Sequence, residues 1–193
     1  MSCNIPKSDK KRVVIVGGGF GGLKLAQKLK KSNYQVVLVD KNNYHQFPPL
    51  IYQVASSGIE PSSIAFPFRR IFQRRKDFSF RLASVLSIMP EEKIIQTSIG
   101  KLSYDYLVLA AGTTTNFFGN KDIEQESIPM KNLSESMGLR NALLDNFERA
   151  LTCASEKERQ ELLNVVIVGG GATGVEVAGA LSEMKNFVIP KDY

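Results

Sequence analysis

Apolar and polar residues alternate along this chain in more than one rhythm, and each rhythm predicts an element. Residues 13–16 (VVIV) and 36–39 (VVLV) are short, β-branched apolar runs of strand character. Between them, LKLAQKLKK sets Leu23, Ala26 and Leu29 at helical spacing. Strand, helix and strand in that order predict a βαβ unit with a parallel sheet. After the Pro/Tyr/Gln-rich stretch NYHQFPPLIYQVASSG, the pattern predicts a helix near 62–74, strands around 78–87 and 93–98, and a strand in YLVLAAG at 106–112. From Ser134 to Leu151, the residues Met137, Leu139, Leu143, Leu144, Phe147, Ala150 and Leu151 fit one face of an amphipathic helix. Ser155 and Glu158 have capping-box spacing and open a further charged turn or two. At 165–168 VVIV returns, followed by GGGATG and the helix-like VEVAGALSEMK. This is the one internal repeat.

In the first copy Gly17, Gly19 and Gly22 form G-x-G-x-x-G directly after a strand and at the start of a helix. The first glycine permits the tight turn, the second lets backbone approach a pyrophosphate, and the third lets helix and strand pack closely. A diphosphate then sits at the positive end of the helix, where backbone N–H groups point at it. Asp40, 18 residues after Gly22 and at the end of the second strand, is placed to accept hydrogen bonds from a ribose hydroxyl pair. A lone glycine motif is weak, because ordinary turns are glycine-rich. Strand, turn, helix, second strand and terminal acid together make this one specific for a dinucleotide.

The second copy repeats the spacing with Gly169, Gly171 and Gly174. Asp192 stands at the same offset from Gly174 as Asp40 from Gly22, but FVIPKD before it is interrupted by Pro190 and makes a poor central strand. Two dinucleotide sites in one chain point to a hydride relay, since a nicotinamide gives up two electrons together and a flavin passes them on singly or in pairs.

Composition narrows the classes. The chain has 193 residues, 43% of them hydrophobic, and a net charge of +6. It can bury a real core as one domain or two small ones. The charge excess is modest and spread out, so it argues weakly for any partner. No apolar run approaches the ~20 residues that cross a bilayer, and MSCNIPKSDKKR lacks the apolar core of a signal peptide, so a cytoplasmic protein is expected. Cys3, Cys153 and His45 are too few and too scattered for a disulfide framework or a metal site, and no metal is expected.

With both motifs in place, the chain resembles the two-dinucleotide-binding flavoprotein superfamily, and within it the type II NADH:quinone dehydrogenases. Four stretches carry the resemblance: VVIVGGGFGGLKLAQKL, VDKNNYHQFPPLIYQVASSG, YDYLVLAAGTTTNFFG and VVIVGGGATGVEVAGALSEMK. The second is the most specific to this branch. The resemblance implies an α/β fold: a Rossmann-type FAD-binding domain with a β-strand insertion over residues 1–163, including a linker helix at 134–152, then the start of a Rossmann-type NAD(P)H-binding domain at 164–193. It implies FAD on Gly17, Gly19, Phe20, Gly21, Gly22, Asp40 and Lys41, with backbone contact from Val85, Ala111 and Gly112. It implies NADH against Gly169, Gly171, Ala172, Thr173 and Gly174, and a catalytic Glu176 near nicotinamide and flavin. A glutamate at the start of a helix also serves the helix dipole, which is the structural reading of Glu176. Quinone is the implied acceptor. Peripheral attachment to the cytoplasmic face of the membrane and the remainder of the FAD domain are expected of a longer protein, of which this chain would be a truncated front part. A homodimer is an assembly the resemblance allows.

The rival readings are another flavoprotein oxidoreductase, such as a sulfide:quinone reductase, and a nucleotide-binding fragment without turnover. A disulfide reductase needs a redox cysteine pair beside the flavin, and none stands there. His45, between aromatic residues in NNYHQF, reads as a packed hydrogen-bonded anchor. Gln53 lies in the stretch expected near the flavin ring. Arg69, Arg70, Arg74, Arg75 and Lys76 read as a solvated helix face around Ile71 and Phe72, without the aromatic interleaving of a nucleic-acid platform, so no nucleic-acid partner is expected.

Overall fold

In the computed structural model, residues 3–192 are described. The first half runs β1 (Lys11–Val16), α1 (Phe20–Lys28), β2 (Tyr34–Asp40), β3 (Tyr44–Gln46), α2 (Ile51–Ala55), β4 (Ala65–Pro67) and α3 (Phe68–Ile71). Strands β5 (Phe78–Leu82), β6 (Val85–Met89), β7 (Ile94–Thr97), β8 (Gly100–Ser103) and β9 (Tyr106–Leu109) follow. Helices α4 (Lys121–Glu126), α5 (Leu133–Thr152), α6 (Glu156–Leu163), α7 (Ala172–Glu183) and α8 (Ile189–Asp192) complete the order. The chain forms two compact units, Met1–Gln46 with Phe66–Thr113, and Phe47–Ala65 with Thr114–Tyr193.

The first unit is built on a parallel sheet of order β5-β2-β1-β9. The apolar runs explain its centre: Val13 to Val16 lie opposite Val36 to Val39, and Val14, Ile15, Val36, Val37 and Leu38 are fully buried. Both faces of a central parallel strand are covered, so the run needs no polar alternation. On one face Val13, Ile15, Val36 and Leu38 pack with Ala26 of α1 and with Phe68, Phe72 and Phe80. On the other, Val14, Val37 and Val39 meet Cys3, Ala83, Ile95 and Leu102. Of these, Ile95 and Leu102 come from an antiparallel sheet β6-β7-β8 inserted between β5 and β9. This is the expected Rossmann-type α/β fold with its β insertion. The single strand expected over 78–87 is two strands, because the chain leaves the parallel sheet at Ala83 and Ser84 and starts the insertion at Val85.

The helix expected over 62–74 is largely absent. A single helical turn at Pro61–Ser63 and the strand β4 precede α3, which spans four residues. Pro67 breaks the run. Phe72 is buried in the core as the amphipathic reading requires, but Arg75 is not solvated. Its guanidinium, 7% exposed, pairs with Asp77 through Nη2···Oδ2 at 2.8 Å and Nε···Oδ1 at 3.1 Å and donates to the carbonyl oxygens of Ala26 and Leu29 at the end of α1. That end carries the negative pole of the helix, which a cation stabilises.

The hydrogen bond from Arg75 holds the Asp77 carboxyl below its ordinary range, against an opposing effect of burial. A carboxylate with a depressed folded-state pKa contributes stability that is present above its unfolded value near ~3.9 and lost as pH falls through the folded value. Asp77→Asn is therefore expected to lower stability at neutral pH, with the gap from the parent chain closing below about pH 4. Urea unfolding at neutral and acid pH measures this; a gap of constant size would contradict it.

The second unit is helical. α5 carries a reciprocal capping box, with Asn132 Oδ1 accepting from the Glu135 N–H and a Glu135 carboxylate oxygen accepting from the Asn132 N–H. Its buried face, with Leu143 and Phe147, packs on Met184, and the buried Ser136 hydroxyl donates to the Ile51 carbonyl at 2.7 Å. Ser155 caps α6 by accepting from the Glu158 N–H.

One expectation fails here. Residues 165–168 form no strand, and Val166 is 85% exposed. A parallel strand exists only with a neighbour to share its ladder, and the described residues of this unit supply no strand in register. FVIP is also helical: a five-residue π-helical turn, Met184–Val188, leads into α8. The backbone of Asp192 thus ends a helix; its side chain lies outside the described residues.

Candidate functional site

The glycine turn between β1 and α1 is where the first unit concentrates special backbone. Gly17 has φ +99°, and a Cβ there would meet the Ala110 carbonyl oxygen at 2.2 Å. A Cβ on Gly22 would lie 1.8 Å from the Gly17 carbonyl oxygen and 3.2 Å from Ile15 Cγ2. These two contacts are the tight turn and the close helix–strand packing that the motif demands. Gly19 and Gly21 differ, since a Cβ on either would face open space. Gly19 is also the N-cap of α1 and brings no side-chain acceptor to the first turn.

Asp40 closes the site from β2. Its Oδ2 accepts from the Gly18 N–H at 2.5 Å and its Oδ1 from the Asn42 N–H at 2.7 Å. Two donors fix the carboxylate plane, and because a carboxylate offers about four lone-pair positions, each oxygen keeps one for a ribose hydroxyl. Tyr44 lies close enough to feel this charge: burial first, and then Asp40, hold its phenol above the ordinary range. The phenol stays protonated and can donate. His45 is buried, with Nδ1 2.9 Å from the Gly18 carbonyl oxygen and an edge-on contact to Phe20 at 5.6 Å between ring centres. It is the packed anchor expected of it and holds the turn from beneath.

Lys41 is exposed beside Asp40, Val85 opens β6, and Ala111 and Gly112 follow β9, Gly112 with φ +74°. The sequence did not reveal Phe68. Its fully buried ring underlies Gly18, where a Cβ would come within 2.1 Å of it. Nothing in periodicity links positions 50 residues apart. The open glycine edge, the positive helix end and the fixed acid fit the diphosphate and ribose of a dinucleotide such as FAD.

In the second unit the other glycine turn has the same local geometry. Gly169 has φ +110°, and a Cβ on Gly174 would lie 2.1 Å from the Gly169 carbonyl oxygen and 3.5 Å from Ile167 Cγ2. Gly171 caps α7 in extended backbone as Gly19 caps α1. The glycines set the turn although residues 165–168 leading into it form no strand. Ala172 and Thr173 are exposed in the first turn of α7. Glu176 is exposed and starts the second turn, beyond the reach of the dipole role. Gln53, on α2, donates from Nε2 to the Tyr52 hydroxyl at 3.2 Å.

A Rossmann-type unit with a built dinucleotide turn, followed by a second turn of the same form, defines a two-nucleotide oxidoreductase fold. The chain belongs to the pyridine nucleotide-disulphide oxidoreductase family, whose model matches residues 11–189. Within it the chain is similar to the type II NADH:quinone oxidoreductase Ndh of Mycobacterium tuberculosis, at 35% identity over 177 residues, covering 90% of this chain and 38% of that protein. It is 35% identical over 193 residues to the mitochondrial external alternative NAD(P)H-ubiquinone oxidoreductase B1 of Solanum tuberosum, covering 93% of this chain and 33% of that one. Among solved structures, NDH2 from Plasmodium falciparum in complex with NADH superposes with a TM-score of 0.89 at 28% identity, over 95% of this chain and 39% of that one. The chain thus spans a third to two fifths of the length of these relatives. No described helix is long and apolar enough to cross a membrane. Cys3 and Cys153 are both free thiols.

Proposed function

We propose that this chain is the FAD-binding part, with the opening of the NADH-binding part, of a type II NADH:quinone oxidoreductase. The observation that carries this reading is the first glycine turn, open at Gly19 and Gly21 and facing a carboxylate fixed by the Gly18 and Asn42 N–H groups. FAD would lie with its diphosphate against Gly17, Gly19, Phe20, Gly21 and Gly22 and its ribose on Asp40 and Lys41, touched further by the backbone of Val85, Ala111 and Gly112. NADH would lie against Gly169, Gly171, Ala172, Thr173 and Gly174. When bound, the flavin supplies the chemistry, taking hydride from NADH and releasing electrons to quinone. The protein would orient both nucleotides, with Glu176 as the candidate catalytic residue. The functional boundary falls at 163–164. Peripheral attachment at the cytoplasmic face of a membrane and a homodimer belong to this proposal for the longer protein.

Asp40→Asn is expected to weaken FAD binding about 10-fold to 100-fold, the loss of a charge-assisted hydrogen bond, while leaving the fold intact. Fluorescence titration of FAD measures it, and an unchanged affinity would remove Asp40 from the site. The reading as a whole is tested by adding NADH under argon to the FAD-loaded chain. Bleaching of the flavin band is expected; a bound flavin indifferent to NADH would contradict the assignment of the second turn.

A further inference from the structure

The end strand β5 of the first unit borders a feature that the nucleotide site leaves unused. A surface cavity of about 500 Å³ is lined by Asn4, Pro6, Arg69, Phe72, Gln73, Phe78, Ser79, Phe80 and Arg81. A second, of about 230 Å³, shares Pro6 and Ser79 with it and adds Lys7, Lys10 and Lys76. The one acid along both, Asp77, is already bonded to Arg75. Five cations therefore line a groove made of two adjoining cavities, and no lining residue of either is a free carboxylate.

The two arginines are held as a receptor would hold them. Arg81 donates from Nε to the Cys3 carbonyl at 2.6 Å, from Nη1 to its neighbour's carbonyl at 2.8 Å and from Nη2 to the Asn4 carbonyl, so the guanidinium is fixed by neutral acceptors. Three of its five N–H groups are used and the charge is not neutralised. Arg69 lies over the Phe80 ring at 5.5 Å. Among the described residues neither forms an ion pair. Both line the larger cavity, and burial first, then the like charge of Arg69, lowers the Arg81 pKa. Placing like charges together without a counterion costs stability, and an oxyanion between them relieves that cost through charge-assisted, bidentate hydrogen bonds.

We propose that this groove binds a small soluble phosphate-bearing molecule with more than one anionic group. One group sits between Arg69 and Arg81 and another lies toward Lys7, Lys10 and Lys76. The site is separate in sequence from the glycine turns and is independent of the nucleotide reading.

The test is an amide NMR titration of the full chain with sodium tripolyphosphate at about 150 mM salt, where loose surface attraction is screened. Saturable shifts at Phe78, Phe80 and Arg81 are expected, with inorganic phosphate binding more weakly. Arg69→Gln, which removes no backbone hydrogen bond, is expected to weaken binding at least tenfold, and Arg81→Lys is expected to do the same while keeping a positive charge. Shifts confined to Gly17–Gly22, binding unchanged in both variants, or no response would each overturn the proposal. So would capture of the chain by phosphatidic acid vesicles without any response to tripolyphosphate, since the phosphate source would then be a lipid surface.

Discussion

Gly22→Val is expected to abolish FAD retention and to lower stability by about 3 kcal/mol or more. The obstacle is backbone, not a side chain that can rotate: a Cβ at 22 would meet the Gly17 carbonyl oxygen at 1.8 Å. Either α1 moves away from β1, which uncovers Ala26 and Ile15, or the turn opens and loses its diphosphate cradle. Urea unfolding and the flavin absorption of desalted protein read the two effects separately. A variant with the parent's unfolding midpoint and full flavin content would show that the close approach is not required.

The second large effect is expected from Phe68→Ala, about 3–5 kcal/mol, the usual range for deleting a buried aromatic ring. Phe68 is fully buried, lies 5.1 Å from the Phe80 ring and supports Gly18 from below. Its loss leaves a cavity directly under the turn, so FAD affinity falls together with stability. Phe66→Ala, at an exposed position nearby in the chain, is expected to change stability by no more than about 0.5 kcal/mol. Equal losses in the two variants would remove Phe68 from this role.

These positions show which parts of the molecule its sequence discloses. The first glycine turn, β1, β2 and Asp40 were legible because strand, turn and helix are contiguous and the apolar runs report burial locally. Phe68 and Arg75 were not, since each acts across the sheet or at the end of a helix far away in sequence. Arg75 sits in a run of basic residues that patterning assigns to solvent, yet only the folded chain brings Ala26, Leu29 and Asp77 to it. The second VVIV illustrates the opposite case. Its glycine turn forms because φ and close approach are set by adjacent residues, whereas its strand character depends on a partner strand that the described residues do not provide. Helix α5 was legible almost to its ends, although its capping box, Asn132 with Glu135, was not read; Ser155, read as opening a further charged turn, does supply the side-chain half of that motif to α6.

The account rests on FAD being held by the turn of the first unit, and a titration of the purified chain with FAD tests it most directly. Saturable quenching of flavin fluorescence is expected, with a yellow protein after desalting and the loss of both in Gly22→Val. A colourless chain whose fold is intact by circular dichroism, with no quenching at any FAD concentration, would contradict it.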